Sequence, residues 1–227
     1  MNTIWRRLKY YGIGFGLGLI FLIFFFQNRG CTWLPSNRVK NTILDRVIVV
    51  SEKTKQDMEG LNLSSEDIIQ VLNDGDVEFK KSDKNSDDKV YLIEKEGRSY
   101  LFTLPKESYI AELFIGKDAF NVKTSEVGRG KIIHLPNDEN MVYPDSTRYV
   151  TCQQEELGLT DPKAIYKLIK ETGEIDFGKT NLSVKPKPEH YMYFVKEGDT
   201  IGFEAIWYKN KINITAFDLP FENPCKQ

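Results

Sequence analysis

The side chains with the widest chemical repertoire are scarce in this sequence, which contains two histidines and three cysteines. His134 lies in a segment rich in glycine and proline, and His190 precedes a run of aromatic residues. Neither histidine stands at the spacing from cysteine or carboxylate residues that is typical of a metal site. We interpret His190 as a surface residue at a strand edge and His134 as a loop residue. We predict no metal, no cofactor and no enzymatic activity.

The cysteines suggest a disulfide instead. Cys152 begins the second of two repeated segments, and Cys225 lies in the tail that follows it. In an oxidising compartment a Cys152–Cys225 bond would tie the tail back across this segment, and three unpaired thiols are the alternative. Cys31 would have no partner in either case.

Charge excludes some classes of partner. The chain has 31 basic and 33 acidic residues with no basic block, so we predict no nucleic-acid partner. The acidic stretch from Asp83 to Asp88 is interrupted by Lys84 and lacks the pattern of a calcium-binding loop, so we predict a solvated hairpin loop there.

The elements that must position these residues occur twice. Each copy has a Gly-Leu pair, an isoleucine-rich helix signal, a Gly-acidic-apolar-acidic-Phe sequence and then a Lys-Glu-Gly turn. The matched residues are Gly60-Leu61 with Gly158-Leu159, Gly75 with Gly173, Phe79 with Phe177, and Gly97 with Gly198. Such internal similarity indicates a duplication. It predicts that the two copies superpose and that both phenylalanines are buried.

The periodicities predict an α+β fold, in which one N-terminal transmembrane helix precedes two repeated modules. Each module is predicted to be a helix plus a four-stranded antiparallel meander. The predicted regions are an N-terminal tail and span (1–29), a juxtamembrane connector (30–46), the first module (47–116), a linker (117–147), and the second module with the C-terminal tail (148–227).

The predicted span is the uncharged run from Tyr10 to Phe26, flanked by basic residues and by Trp5 and Trp33. Its length is close to that needed for a hydrocarbon core of ~30 Å. A cleaved signal peptide and a lipoprotein anchored at Cys31 are alternatives, although Asn28 and Arg29 fit neither cleavage pattern. The basic N-terminal tail predicts a cytoplasmic N-terminus and a body outside the cytoplasm, which in a Gram-negative cell makes the chain an inner-membrane protein with a periplasmic body.

Within this stretch, Gly12, Gly14, Gly16 and Gly18 form two overlapping small-xxx-small pairs. Such spacing lets another helix approach closely in a membrane. We therefore predict a helix-packing role for these glycines, with other transmembrane subunits as partners. The alternative is that glycine is simply common in spans.

Each copy, with its isoleucine-spaced helix closed by Gly75-Asp76-Val77 or Gly173-Glu174-Ile175 and the strands that follow, resembles the bacterial domain-of-unknown-function family 4258. The glycine-rich N-terminal stretch also resembles that of membrane-anchored envelope members. The resemblance implies a fold similar to the BrnT-type ribonuclease toxins. In those toxins a histidine on the first helix is implicated in RNA cleavage, and neither Ser51 to Gly60 nor Thr151 to Gly158 contains a histidine.

These observations predict a non-enzymatic, membrane-anchored interaction or structural subunit of a bacterial envelope complex. The aromatic residues Tyr191, Tyr193, Trp207 and Tyr208 are candidates for partner contacts or for the core. The alternative is an extracytoplasmic module that binds or senses a peptide or glycan between its two copies. A degenerate hydrolase is a third, weaker reading.

Overall fold

The structure is a computed structural model that describes residues 2–28, 34–136, 141–184, 187–208, 211–219 and 224–225. The chain divides into two compact units, one ending at Arg38 and the other beginning at Val39. The first unit contains helix α1 (Asn2–Asn28) and the start of α2 (Pro35–Leu44). The second unit contains the end of α2 and all the strands that the structure describes.

Helix α1 covers the stretch in which we predicted a membrane span. Within the part of the chain that the structure describes, no helix is long and apolar enough to cross a membrane. The charged Arg7 and Lys9 precede the apolar residues of α1, and two tyrosines and four glycines lower the hydropathy of the run itself. The predicted single-pass transmembrane helix is therefore wrong, and so is the predicted placement in the bacterial inner membrane with a periplasmic body.

The second unit has two halves, each with two helices and five strands in the described residues. The N-terminal half contains β1 (Val47–Ser51), α3 (Glu52–Gly60), α4 (Ser65–Asp74), β2 (Asp76–Val77), β3 (Asp88–Lys95), β4 (Arg98–Pro105) and β5 (Ile110–Ile115). A connecting segment with a short 3-10 turn, Ala119–Asn121, leads to β6 (Arg129–His134). The C-terminal half contains β7 (Val142–Pro144), α5 (Arg148–Glu156), α6 (Pro162–Thr172), β8 (Glu174–Asn181), β9 (Glu189–Lys196), β10 (Asp199–Tyr208) and β11 (Lys211–Phe217).

The strands form one mixed sheet of eleven strands in the order β2-β3-β4-β5-β1-β6-β8-β9-β10-β11-β7. The prediction of two modules, each a helix plus a four-stranded antiparallel meander, is therefore wrong. Each half has a pair of helices and includes a parallel strand, because β1 pairs with β5 and β7 pairs with β11 in parallel. The sequence between the copies, which we predicted to be a linker, supplies β6.

Strand order nevertheless recurs in the two halves. In each half the strand that precedes the helix pair lies beside the last strand of that half. Strand β6 joins the halves by pairing antiparallel with β1 on one side and with β8 on the other. The linker therefore contains the central connection of the sheet.

The first helix of each pair begins and ends in the same way. A hydroxyl side chain caps its N-terminus, Ser51 on α3 and Thr147 on α5. At the C-terminus, Asn62 and Gly158 both have positive φ, and the next residue in each half, a leucine, donates its N–H back to the helix. The structural equivalent of Gly158 is therefore Asn62. The sequence comparison had matched Gly158 with Gly60, which lies two residues earlier in the chain.

The second helix of each pair ends at a glycine. Gly75 and Gly173 donate their N–H groups to Val71 and Ile169, both at 2.9 Å. A Cβ atom on Gly75 would lie 2.5 Å from the Val71 carbonyl oxygen, and one on Gly173 would clash with that of Ile169. The chain therefore needs glycine at both turns from helix to strand.

The two helix pairs cover opposite faces of the sheet. On β1, Ile48 and Val50 pack in one core with Ile68 of α4, whereas Val47 and Val49 belong to another core, which contains Ile165 and Ile169 of α6. Alternate residues of a strand point to opposite faces. On the face of α5 and α6, the N-terminal half is covered by the segment around Ala119, which packs on Val90, Leu92 and Leu101.

One matched pair behaves differently in the two halves. Phe177 is buried on β8, but Phe79 lies in a turn after the two-residue β2 and is half-buried. The prediction that both phenylalanines are buried is therefore wrong for Phe79. Strand β8 is longer because β6 and β9 flank it, whereas β2 is an edge strand with β3 as its neighbour.

Each edge of the sheet has a residue that opposes further pairing. At Gly173 the carbonyl oxygen accepts the N–H of Ile132 on β6, but at the matched Gly75, just before β2, the Lys40 ammonium of helix α2 takes that place, with Nζ 3.2 Å from the oxygen. On β7, Asp145 donates its N–H to β11, so the preceding residue, Pro144, has its nitrogen on the outer side. Proline on an edge strand opposes pairing because it has no N–H to donate, and Lys40 occupies a carbonyl oxygen that a further strand would need.

We predict that Gly173→Ala destabilises the protein by about 1–3 kcal/mol, because the added methyl group has backbone on one side and Ile132 Cδ1 at 2.9 Å on the other. Gly60→Ala is the control, since a Cβ atom there meets no atom within 4 Å. Urea denaturation measures both. Equal free energies of unfolding for Gly173→Ala and the wild type would contradict this account of the turn.

Candidate functional site

The four glycines that we predicted to pack against another helix lie on α1. A Cβ atom on Gly12, Gly14, Gly16 or Gly18 would meet no other atom within 4 Å. In the described part of the chain nothing packs against them, so the helix-packing role stays a prediction.

Cys152 and Cys225 are joined by a disulfide. The neighbouring Gln153 is fully buried, and its side-chain amide bonds both the N–H and the carbonyl oxygen of Phe217. Gln153 thereby fixes α5 to the end of β11, and the disulfide joins Cys225 to the same helix. Cys31 lies outside the described residues.

We predict that Cys225→Ser lowers the free energy of unfolding by about 2–4 kcal/mol, because the bond closes a loop between cysteines 73 residues apart and limits the freedom of the unfolded chain. Urea denaturation of the oxidised wild type and the variant measures the difference. Reduced wild type should match the variant, and a variant as stable as the oxidised protein would contradict the prediction.

The aromatic candidates lie on both faces of the sheet in the C-terminal half, and three of the four are buried. Trp207 is buried in the core. Tyr191 and Tyr193 lie on the other face, with Lys179 Nζ 4.1 Å from the Tyr191 ring centre and the Arg129 guanidinium carbon 4.0 Å from that of Tyr193. Their hydroxyls bond Asp218 and Asp176. Charged residues of the chain itself thus contact the rings and hydroxyls of both tyrosines. Tyr208 is exposed at the end of β10.

The acidic loop between β2 and β3 binds its own backbone. The Asp83 carboxylate accepts the N–H groups of Asn85 and Ser86, and these bonds lower the pKa of Asp83. Among the described residues no group of three or more histidine, cysteine, aspartate or glutamate side chains is placed to hold a metal ion.

Both histidines lie elsewhere than we predicted. His134 is on β6 and not in a loop, and its Nε2 lies 2.9 Å from the Leu44 carbonyl oxygen. His190 is on β9 and is only 1% exposed, so its interpretation as a surface residue is wrong. The apolar strand that follows it, Tyr191 to Val195, indicated a buried environment that the sequence interpretation missed.

Ser108, the hydrogen-bond partner of His190, lines a cleft that lies where the two halves meet, which we call the junction cleft. Its volume is about 500 Å³. The N-terminal half and the connecting segment contribute one part of the wall, and β8 with the residues after it contributes the other. The lining residues are Pro105, Ser108, Ile110, Thr124, Ser125, Glu126, Ile175, Phe177, Gly178, Lys179, Thr180, Asn181, Leu182 and Ser183.

Buried apolar side chains form the base of the junction cleft. Ile110 of β5 and Ile175 and Phe177 of β8 belong to the core on the face of α5 and α6. Gly130 of β6 leaves room for the Phe177 ring, because a Cβ atom there would lie 2.8 Å from Cε2. Ile110 and Ile175 have almost no exposed surface, so the apolar surface that a ligand could cover belongs to Phe177 and to Leu182, which also lines the cleft.

A buried carboxylate holds one wall in place. Glu112 is fully buried and accepts the N–H and the hydroxyl of Ser125, at 2.7 and 2.8 Å. Burial raises the pKa of Glu112, and the two bonds from Ser125 oppose that rise. Next to it, Thr124 donates its hydroxyl to Thr103 at 2.9 Å. The wall is thus fixed to β4 and β5 by side-chain hydrogen bonds.

An arginine holds the loop that carries Ser108. The Nη1 atom of Arg46 lies 3.0–3.4 Å from the carbonyl oxygens of Pro105, Ser108 and Ile110. Burial lowers the pKa of Arg46, but an arginine remains charged at neutral pH. These three bonds fix the backbone between β4 and β5, and hence the position of Ser108.

Ser108 and His190 form a hydrogen bond between the two halves. Ser108 Oγ lies 3.0 Å from His190 Nε2 and also accepts the N–H of Ile110 at 3.2 Å. Burial lowers the pKa of His190 to about 4, so the ring is neutral at pH 7. In the described residues, His190 Nδ1 and Trp207 Nε1 are buried without a hydrogen-bond partner. Sequence alone could not link Ser108 with a residue 82 positions away.

No protein-family model, curated protein or solved structure matches this chain. The resemblance to domain-of-unknown-function family 4258 therefore stays a prediction. What the protein does must be argued from the junction cleft and the residues around it.

We predict that His190 makes the protein less stable in acid. The unfolded chain binds a proton at its histidine near pH 6.5, but folded His190 does so only near pH 4. Between these values the unfolded state binds more protons, so the free energy of unfolding falls as the pH decreases. The loss from His190 between pH 7 and pH 4 is about 3 kcal/mol.

Urea denaturation at pH 4–7 measures this loss. His190→Gln should remove about 3 kcal/mol of pH dependence relative to the wild type, whereas His134→Gln, at the other histidine, should leave this part in place. Identical pH profiles for His190→Gln and the wild type would contradict the assignment.

Proposed function

We propose that the protein is a non-catalytic binding protein whose ligand occupies the junction cleft. The observation that carries this proposal is that the two halves share the cleft, since its lining comes from β5 and the connecting segment on one side and from β8 on the other. Ligand sites are concave, mostly apolar and equipped with a few fixed polar groups. The volume of about 500 Å³ lies within the usual range for a small ligand.

The rigidity of the wall supports binding. Ser125, Thr124 and Ser108 are each held by hydrogen bonds to residues beneath or beside the cleft. Groups that are already fixed lose little conformational entropy when a ligand arrives. The cleft is thus suited to recognise a ligand without rearrangement.

The chemistry of Ser108 and His190 favours binding over catalysis. A serine next to a histidine resembles a nucleophile with its base. A histidine with a pKa of about 4 is a weak base at neutral pH, and no hydrogen bond to Nδ1 orients the ring. We therefore assign the pair a role in binding.

The predicted role as a subunit of a membrane complex depended on the transmembrane span, and we do not develop it. The other prediction made from sequence, that a ligand binds between the two copies, agrees with the position of the junction cleft.

We predict that a bulky side chain at Gly178 blocks the cleft. Gly178 is exposed at the rim, where a Cβ atom would lie 3.5 Å or more from its neighbours, so Gly178→Leu should fold. Indole and benzyl alcohol serve as apolar probes, and ¹H–¹⁵N NMR titration measures their binding. In the wild type the probes should shift the resonances of Ser125, Phe177 and Gly178, and in Gly178→Leu the binding should be at least about tenfold weaker.

Gly60→Leu is the matched control, because it adds the same side chain at an exposed glycine outside the cleft. It should bind the probes as the wild type does. Shifts that avoid the cleft residues, or equal binding by the wild type and Gly178→Leu, would overturn the proposed function.

A further inference from the structure

The hydrogen bonds within the wall of the junction cleft determine which of its hydroxyl groups can still donate to a ligand and which can only accept. This pattern indicates the chemistry of the ligand. We infer that the ligand is an amide with an apolar substituent, as in a peptide segment, and that Ser108 donates a hydrogen bond to its carbonyl oxygen. This inference rests on the proposed function and gives it a ligand class.

The first step is the position of the proton on His190. A neutral histidine has one N–H group. If Nδ1 carried the hydrogen, it would be a buried donor without a partner among the described residues, as Trp207 Nε1 is. If Nε2 carries it, the bond to Ser108 is made and the unpaired atom is an acceptor, which proteins tolerate more often than an unpaired N–H. The geometry therefore favours hydrogen on Nε2.

The second step concerns Ser108. A serine hydroxyl has one hydrogen to donate and two lone pairs that accept. The N–H of Ile110 and the Nε2–H of His190 both point to Oγ and fill its accepting positions. The hydroxyl hydrogen of Ser108 is then available to a ligand in the cleft. His190 acts as a positioning residue that makes Ser108 a donor.

The third step concerns three further hydroxyls of the lining, those of Thr124, Ser125 and Thr180. Thr124 donates to Thr103 and Ser125 donates to Glu112. Thr180 donates to the carbonyl oxygen of Asp176 at 2.8 Å. Because their hydrogens are committed to the protein, these oxygens can only accept hydrogen bonds from a ligand.

The junction cleft thus offers a buried donor, several half-buried acceptors, and apolar surface at its base on Phe177 and beside it on Leu182. A secondary amide is complementary, because its carbonyl oxygen accepts from Ser108 and its N–H donates to a hydroxyl oxygen of the wall. An apolar substituent on the amide would cover the base. A glycan suits the cleft less well, since its hydroxyl groups would leave that apolar surface poorly covered.

The position of the proton on His190 can be measured directly. ¹⁵N NMR of histidine-labelled protein at pH 7 distinguishes the two neutral forms by the chemical shifts of Nδ1 and Nε2. We expect hydrogen on Nε2 and an unprotonated Nδ1. The opposite form would make Ser108 donate to His190 and would overturn the inference.

The ligand class is tested with three matched probes. N-acetyl-L-leucine methylamide has both amide groups and an apolar side chain, its thioacetyl analogue has a weaker acceptor, and its methyl ester lacks one N–H. NMR titration of the wild type should show the amide binding about two- to tenfold more tightly than either analogue. A hexapeptide centred on leucine tests whether a longer segment binds more tightly than the single amide.

Variants assign the effect to Ser108. In Ser108→Ala the amide and thioamide should bind equally, whereas Ser183→Ala, which removes a hydroxyl elsewhere in the lining, should retain the difference. If Ser108→Ala does not fold, the thioamide comparison in the wild type decides alone. Binding of all three probes with equal affinity would overturn the inference and leave the proposed function standing, whereas failure of indole and benzyl alcohol to bind would overturn the proposed function itself.

Discussion

The pairing of β6 with both halves is the interaction on which the rest of the structure depends. Strand β6 pairs antiparallel with β1 and with β8, and so turns two similar halves into one sheet. Because residues of β1 alternate between the cores on the two faces, each helix pair packs on a surface that this pairing completes. Gly130 of β6 also makes room for Phe177 at the base of the junction cleft. The fold and the candidate site thus share one cause.

The junction cleft also depends on charged residues that a ligand need not touch. Arg46 fixes the loop that carries Ser108, and buried Glu112 fixes Ser125. Removing either charge would leave several buried polar groups without a partner, which costs more than the net value of the bonds themselves. The cleft is therefore a property of the whole junction. Its hydroxyl groups are fixed by Thr103 of β4, Glu112 of β5 and His190 of β9. Arg46, which lies just before β1, fixes the backbone of the loop that carries Ser108.

Sequence was informative wherever structure is local. The duplication, the glycines that end α4 and α6, and the Glu-Gly turns at Gly97 and Gly198 all followed from short patterns. The match at the end of the first helix was wrong because Asn62 can adopt the same backbone conformation as Gly158. Strand β6 was missed because its pattern is weak and its partners are distant in sequence. The Ser108–His190 contact joins the two halves and leaves no local signal.

Lys40 and Pro144 affect whether several copies of the protein can associate through the edges of their sheets. The two halves lie side by side in the sheet with the same strand order. Equivalent strands of the two halves run in opposite directions, and the two helix pairs cover opposite faces. This relation does not close on itself, so pairing of another molecule at either edge would extend the sheet. Repeated contacts of that kind produce fibres. Lys40, which occupies the Gly75 carbonyl oxygen beside β2, and Pro144 on β7 oppose such pairing at the two edges.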